Sequence, residues 1–279
     1  MKQLNMFGGY NPKIHQKTNR IKVAQETVHI SNKGWYIIGS RKIVLDKNLS
    51  SHRVPIEQLK SKTYDGGNFT PQYCVIPQTT GEAIFSLAKK YKQESIGVLN
   101  FASARQMGGG FLQGAMAQEE ALCYCSNLYK AQQSETYYYD INKKTQNGLY
   151  TDEMFMSNHV SFFRDDNYKL VFSPVVVGSV LTVPAVNHMF LAAEYKDRAD
   201  EVMLNRIRLL IKAFINEGNT TLILGAWGCG VFGNNPQTVA KQFKQILVDE
   251  KLGTYFENII FAIPDRSDGN FVKFKEVWN

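Results

Sequence analysis

The sequence predicts an α/β fold, a mixed sheet at least partly parallel and flanked by helices, preceded by an N-terminal extension. Two observations carry this. After residue 72, short apolar runs alternate with helical stretches, the pattern of strand–helix–strand units. Two glycine-rich loops each directly follow an apolar run and lead into a helix, which places both at the carboxyl edge of the sheet, where such sheets bind ligands.

Residues 1–72 read as an extension packing on a core of residues 73–279. Within the extension, residues 17–31 have helical character that ends near Asn32 and Gly34. Residues 35–39 and 43–45 read as short strands, and residues 60–72, rich in Gly, Thr, Asn and Pro, as loop. The core begins with the run Cys74-Val75-Ile76-Pro77. Thr79 or Thr80 then caps a helix over 81–91 with Ala83, Leu87 and Ala88 on one face. Residues 96–101 form a buried strand, followed by the first glycine loop and a helix from about Gln118 to Ala131. The polar, Tyr-rich stretch 132–170 gives no clear assignment, and two further strands follow at 170–177 and 179–186. The clearest helix spans 197–216: Val202, Ile207, Leu210, Ile211, Phe214 and Ile215 make its apolar face and Gly218 stops it. Residues 220–227 are a buried strand entering the second glycine loop. Pro236 occupies a favoured first helical position for a helix to about Glu250, residues 258–263 are the last strand, and a short helix follows Asp268.

Composition narrows the function classes. No run of 18 apolar residues occurs, so no membrane span is expected. Residues 1–5 lack an apolar signal region, and the four cysteines match no zinc pattern, which suits an intracellular, reduced protein. His15, His29, His52, His159 and His188 are scattered, with no pair at ligand spacing, so neither metal nor cofactor is expected. Cys123 and Cys125 lie on opposite helix faces and are not expected to pair. The 32 basic residues exceed the 25 acidic ones by seven, a balance suited to an anionic partner or simply to a basic surface. No basic stripe, zinc finger or helix-turn-helix supports direct nucleic-acid binding.

The chemistry lies in the two loops. In the first, Asn100 ends a strand and offers an amide to sugar hydroxyls. Gly108, Gly109 and Gly110 let the backbone approach a ligand and could present free N–H groups to a pyrophosphate, or they could simply make a turn. Gln118, Glu119 and Glu120 then open a helix, where the dipole favours carboxylates. The second loop, residues 225–235, has the order strand, glycine loop, helix N-terminus that binds phosphates. It is neither a dinucleotide fingerprint nor a Walker loop. Phe232, set among glycines, either packs over a sugar or base or caps the core. A nucleophilic role for Cys229 lacks a neighbouring base.

Gly108-Gly109-Gly110, then seven residues, then Gln118-Glu119-Glu120 resembles the motif of poly(ADP-ribose) glycohydrolases. Asn100-Phe101-Ala102 and the second loop resemble the bacterial and fungal branch of that family, with Met107 standing where proline is expected. The resemblance implies a macrodomain-like fold with ADP-ribose in a cleft at the sheet edge, acting on poly(ADP-ribose) and ADP-ribosylated proteins and releasing ADP-ribose. It further implies an exo-acting monomer. It assigns Glu120 as acid catalyst and gives ribose hydroxyls to Glu119 and Asn100. Gly108, Gly109, Gly110, Gln118, Gly228, Gly230, Val231 and Gly233 fall to substrate binding, with Phe232 against the terminal ribose. Tyr137, Tyr138 and Tyr139 are its candidates for contacts to the base.

The residues add a constraint of their own. Glycosidases with two catalytic carboxylates hold them roughly 5–9.5 Å apart across the bond. Adjacent helical residues diverge by about 100°. One of Glu119 and Glu120 must therefore act alone, as acid and then as base. The alternative to an enzyme is a macrodomain that binds ADP-ribose without cleaving it. Such a reader has no need of an acid.

Overall fold

The computed structural model describes residues 16–279. His15 and the first five residues, on which two of the expectations above rest, lie outside the described residues.

The chain opens with helix α1 (Lys17–Lys33), which ends at Gly34 in the left-handed conformation, as the sequence predicts. A small hairpin, β1 (Trp35–Ile38) and β2 (Arg41–Val44), follows. Next come β3 (Ser50–Arg53), α2 (Ile56–Ser61) and β4 (Gln72–Ile76). Helix α3 (Thr80–Leu87) is capped by Thr79, whose side chain accepts from the Glu82 N–H while Glu82 reaches back to the Thr79 N–H. The remainder is β5 (Ile96–Phe101), α4 (Gln118–Cys125), α5 (Leu128–Gln132), α6 (Thr136–Lys143), β6 (Phe155–Arg164), β7 (Leu170–Val183), α7 (Ala199–Asn216), β8 (Thr221–Leu224), α8 (Pro236–Lys244), β9 (Asn258–Ala262) and α9 (Asn270–Trp278).

Seven strands form one mixed sheet in the order β3-β6-β7-β5-β8-β9-β4. The pairs β7·β5, β5·β8, β8·β9 and β9·β4 are parallel, and β3·β6 and β6·β7 are antiparallel. Side chains alternate across the sheet. Leu99, Leu181, Leu222 and Phe261 enter one core with residues of α7 and α8, whereas Val98, Val180, Ile223 and Ile260 enter a second core with residues of α3 and α4. Helices therefore cover both faces, the layering expected of a sheet with parallel strands.

The structure departs from or completes the sequence reading at four places. Residues 50–53, read as part of the extension, pair with β6 as the edge strand of the main sheet, and Val54, Ile56 and Leu59 enter its core. The single helix expected over 118–131 is two, because Ser126 adopts extended backbone. Its hydroxyl donates to the Leu122 carbonyl and accepts from the Leu128 N–H, serving both broken ends. The two strands expected at 170–177 and 179–186 are one, β7. Gly178 does not divide it; the Glu94 carbonyl sits where a Cβ would be. The unassigned stretch 132–170 contains α6 and the ten-residue strand β6.

Candidate active site

A cavity of about 460 Å³ opens along the carboxyl edge of the parallel strands. Its walls come from the segments that follow β4 (Thr79), β5 (Ser103), β7 (Ala185), β8 (Trp227 to Phe232) and β9 (Pro264), together with the start of α4. The size suits a drug-sized or nucleotide-sized ligand.

Gln118, Glu119 and Glu120 line the cavity, and Asn100 lies behind Glu119. Asn100 is the fifth residue of β5, and the strand's alternation turns it toward α4, where it is fully buried. Its amide donates to Glu119 Oε1 at 3.1 Å and to Thr182 Oγ1 at 3.2 Å, leaving its own Oδ1 buried without a partner. Glu119 is enclosed. Oε1 also accepts from Gln132 at 2.9 Å, and Oε2 accepts the Ser103 N–H at 2.7 Å. Burial pushes its carboxyl up to about 8, aided by the negative charge of Glu120 and opposed by the Ser103, Asn100 and Gln132 hydrogen bonds. Glu120 is held at one oxygen only: Oε1 accepts the Gly110 N–H at 2.9 Å. Its side chain borders the cavity. Both carboxylates lie in the first turn of α4, where the helix dipole favours them.

Gln118 is a brace. Its Oε1 accepts the Phe101 N–H at 2.9 Å, and its Nε2 donates to the Leu99 carbonyl at 2.8 Å, which fastens α4 to the end of β5. The glycine triplet also differs from the expected open nest. Gly109 N–H donates to the Gln106 carbonyl and Gly110 N–H to Glu120, and none of the three glycines lines the cavity. Instead the triplet seats the Glu120 carboxyl. Gly109 has φ +57°, and a Cβ there would meet Glu120 Oε1. Behind it, Phe111 is fully buried, and the Tyr124 hydroxyl reaches the carbonyls of Phe111 and Ala115 at 2.9 and 2.8 Å.

The second loop keeps its donors open. The N–H groups of Gly228, Gly230, Val231 and Phe232 make no backbone hydrogen bond among the described residues. Asn234 fixes the loop from below: its amide donates to the carbonyls of Val186 at 2.7 Å and Gly228 at 2.9 Å. Gly228 and Gly233 both have positive φ, and Asn235 caps α8 by accepting the Thr238 N–H. Gly228, Gly230, Val231 and Phe232 line the cavity; Gly233 faces Met189 instead. Phe232 is half-buried, its ring 6.1 Å from that of Tyr150. Burial raises the Cys229 thiol to about 12, which leaves it unreactive as a nucleophile.

Tyr138 and Tyr139 do not reach the cavity; they pack in a small core with Ala102 and Phe155. Tyr137 is exposed beneath the Arg53 guanidinium, 4.1 Å from the ring centroid. Sequence reasoning missed Trp227, Asp166 and Thr79. Trp227 is buried in the cavity wall with its Nε1 unpartnered. Asp166, raised to about 6 mainly by burial, accepts from the Thr79 hydroxyl at the α3 end. The carboxyl-edge rule, applied to the ends of β4 and β9 as well, would have found the segments beginning at Thr79 and Pro264.

Among the described residues no group of three or more His, Cys, Asp or Glu side chains could hold a metal ion, and all four cysteines are free. No helix among them is long and apolar enough to cross a membrane.

Comparison with known proteins shows what this chain is similar to. The family described as microbial-type PARG, catalytic domain, matches residues 24–165, which contain the first loop but not the second. Solved structures span both. The inhibitor-bound poly(ADP-ribose) glycohydrolase of Thermomonospora curvata is 30% identical with a TM-score of 0.83, covering 93% of this chain and 99% of that one. The poly(ADP-ribose) glycohydrolase of Deinococcus radiodurans in complex with ADP-ribose is 33% identical with a TM-score of 0.74, covering 83% and 94%. A search of curated protein sequences found no match.

Proposed function

The chain belongs to the microbial-type poly(ADP-ribose) glycohydrolases, and on that premise we propose that Glu120 is its single acid–base catalyst. The observation that carries this assignment is the unequal engagement of the two carboxyls. Glu119 has both oxygens enclosed by Asn100, Gln132 and Ser103, whereas Glu120 is fixed at one oxygen by Gly110 and keeps the other for the cavity.

In this scheme the open donors of Gly228, Gly230 and Val231 hold the diphosphate, and Phe232 packs on the terminal ribose. Asn100 Oδ1 accepts a ribose hydroxyl, and Glu119 holds the Asn100 amide so that this oxygen points correctly. Glu120 gives its proton to the leaving ribose oxygen as the glycosidic C–O bond breaks. The diphosphate stabilises the ribosyl cation, and the Glu120 carboxylate then takes a proton from the attacking water. No step calls for a metal. Release of single ADP-ribose units from the chain end, action as a monomer inside the cell, and no direct binding of nucleic acid complete the proposal.

Incubation with poly(ADP-ribose) tests it. ADP-ribose monomer should dominate early time points, with few short oligomers. Glu120→Gln should lower turnover by about 10²–10⁴, the usual worth of general acid catalysis, while its affinity for ADP-ribose in calorimetry stays near wild type. Near-normal turnover in this variant would overturn the assignment of the acid.

A further inference from the structure

The three most exposed large hydrophobic side chains among the described residues are Val231 (77% exposed), in the second loop, and Phe190 (73%) and Met189 (70%), in the turn bonded to that loop. Val231 lines the cavity beside Phe232. The short helical turn carrying Met189 and Phe190 is tied to the same loop, since the His188 N–H donates to the Phe232 carbonyl at 2.8 Å and Gly233 abuts Met189. This turn is rigidly mounted. The Asn187 side chain accepts the Met189 N–H, and Gly148 packs so closely on Phe190 and Leu191 that a Cβ would lie 2.8 Å from their backbone. Tyr150, whose ring lies 6.1 Å from that of Phe232, carries the exposed Arg105, whose guanidinium lies 5.6 Å from the Tyr150 ring centroid and donates to the Thr145 carbonyl. A clustered apolar surface of this kind marks an interaction site.

We propose that this surface is a second subsite, which binds the adenosine diphosphate part of the polymer unit on the leaving side of the scissile bond. Phe190, Met189 and Val231 stack its base, and Arg105 pairs with its diphosphate. The inference rests on the reading of Glu120 as the acid. The oxygen that Glu120 protonates is the 2′-oxygen of an adenosine, so a base and a diphosphate must leave the cavity within one sugar's reach of Phe232. An apolar platform on the loop that lines the cavity, and a guanidinium held on Tyr150 beside Phe232, match both in chemistry. Base stacking on aromatic side chains and Arg–phosphate pairing are general recognition modes for such groups.

The test compares ADP-ribose with its dimer, two units joined by the ribose–ribose bond, as ligands of the Glu120→Gln protein in calorimetry. The dimer should bind about fivefold more tightly, the low end of what one stacked base provides. Adding Phe190→Ala or Arg105→Ala should remove most of that advantage while monomer affinity changes less than about twofold. Arg105→Lys should restore part of it, because charge survives and the bidentate geometry does not. With Glu120 intact, Phe190→Ala should raise KM for free poly(ADP-ribose) and leave kcat unchanged. Phe190 is exposed, so its truncation does not threaten the fold. Equal affinity for dimer and monomer would overturn the proposal, as would equal loss of both in the variants. A defect limited to protein-attached polymer would overturn it too, assigning the patch to the modified protein instead. A wild-type chain that releases nothing from polymer would count against the catalytic reading, not against the subsite.

Discussion

At Glu119 two demands on one carboxyl oppose each other. Three donors are aimed at it, which favours the anion, but its complete enclosure costs more, and the carboxyl rises from 4.5 to about 8. The folded chain therefore keeps a proton that the unfolded chain releases over that interval. Stability is greatest below about pH 4.5 as far as this group is concerned, and it falls as pH rises to about 8. Glu119→Gln should flatten the melting-temperature profile between about pH 6 and 8 and gain on the wild type toward the alkaline end. A decline below about pH 6 should persist, because Asp166, raised from 3.8 to about 6, acts in the same sense. An unchanged slope above pH 6 would mean that Glu119 is ionised in the folded protein. The same variant should lose activity through misalignment of Asn100, whose amide it holds. Phe232 poses the opposite case. It is half-buried against Tyr150 and borders the cavity, so Phe232→Ala should cut turnover with a stability loss well under the roughly 3–5 kcal/mol of a fully buried phenylalanine. A large drop in melting temperature would return Phe232 to the core.

Elements with a strong local signal were legible in the sequence, and those held by distant partners were not. Helix α7 shows its stripe, α1 its stop at Gly34 and α8 its Pro236 start, because periodicity, left-handed glycine and proline are local facts. Strand β6 shows nothing comparable. Its Ser157 and Ser161 are fully buried yet polar, which defeats both alternation and the apolar run. They are tolerable only because Ser51 lies 2.9 Å from the Ser157 hydroxyl, while the Asp46 N–H and Asn127 side chain serve Ser161. Those partners lie 34 to 115 residues away, beyond any local pattern. The first loop was legible as a site but not in its workings. Sequence says that three glycines make close approach possible; only the fold says that the approaching group is Glu120 and not a phosphate. Gly109→Ala tests that division of labour. It forces a Cβ onto Glu120 Oε1 at φ +57°, at a strain cost of roughly 1–2 kcal/mol. Turnover should fall by more than about tenfold, because a displaced acid loses its alignment. ADP-ribose affinity should hold, since the second loop supplies the diphosphate donors. Weakened affinity with normal turnover would restore the triplet to phosphate binding.

The whole molecule assembles its cavity from five strand ends, yet α1, which lines none of it, holds the first glycine loop from behind. Arg20 donates to the Gly114 carbonyl at 2.8 Å, and Gly114 sits so close to the Lys17 carbonyl that a Cβ there would lie 2.8 Å away. Thr27 donates to the Tyr124 carbonyl at 2.9 Å, and the Tyr124 hydroxyl in turn reaches the carbonyls of Phe111 and Ala115. One helix thus grips both ends of the turn that carries Gly110 toward Glu120. The grip is coupled to the sheet through Arg164 at the end of β6, almost fully buried, which donates to Thr27 at 3.1 Å, to Glu26 at 2.6 Å and to the Tyr168 carbonyl at 2.7 Å. Deleting residues 1–34 would remove two of those three partners. Glu26 is itself exposed, so the loss is that of leaving the almost fully buried Arg164 donors unsatisfied, about 1–3 kcal/mol, which for a domain of this size lowers the melting temperature by several degrees. Turnover should fall further than stability explains, since at temperatures where the truncated chain remains folded the Gly110–Glu120 contact has lost its support. The measurement is turnover on poly(ADP-ribose) at about 15 °C alongside a circular-dichroism melt. A truncated chain that is folded and fully active there would show that the loop holds its own shape, and that α1 only covers the core.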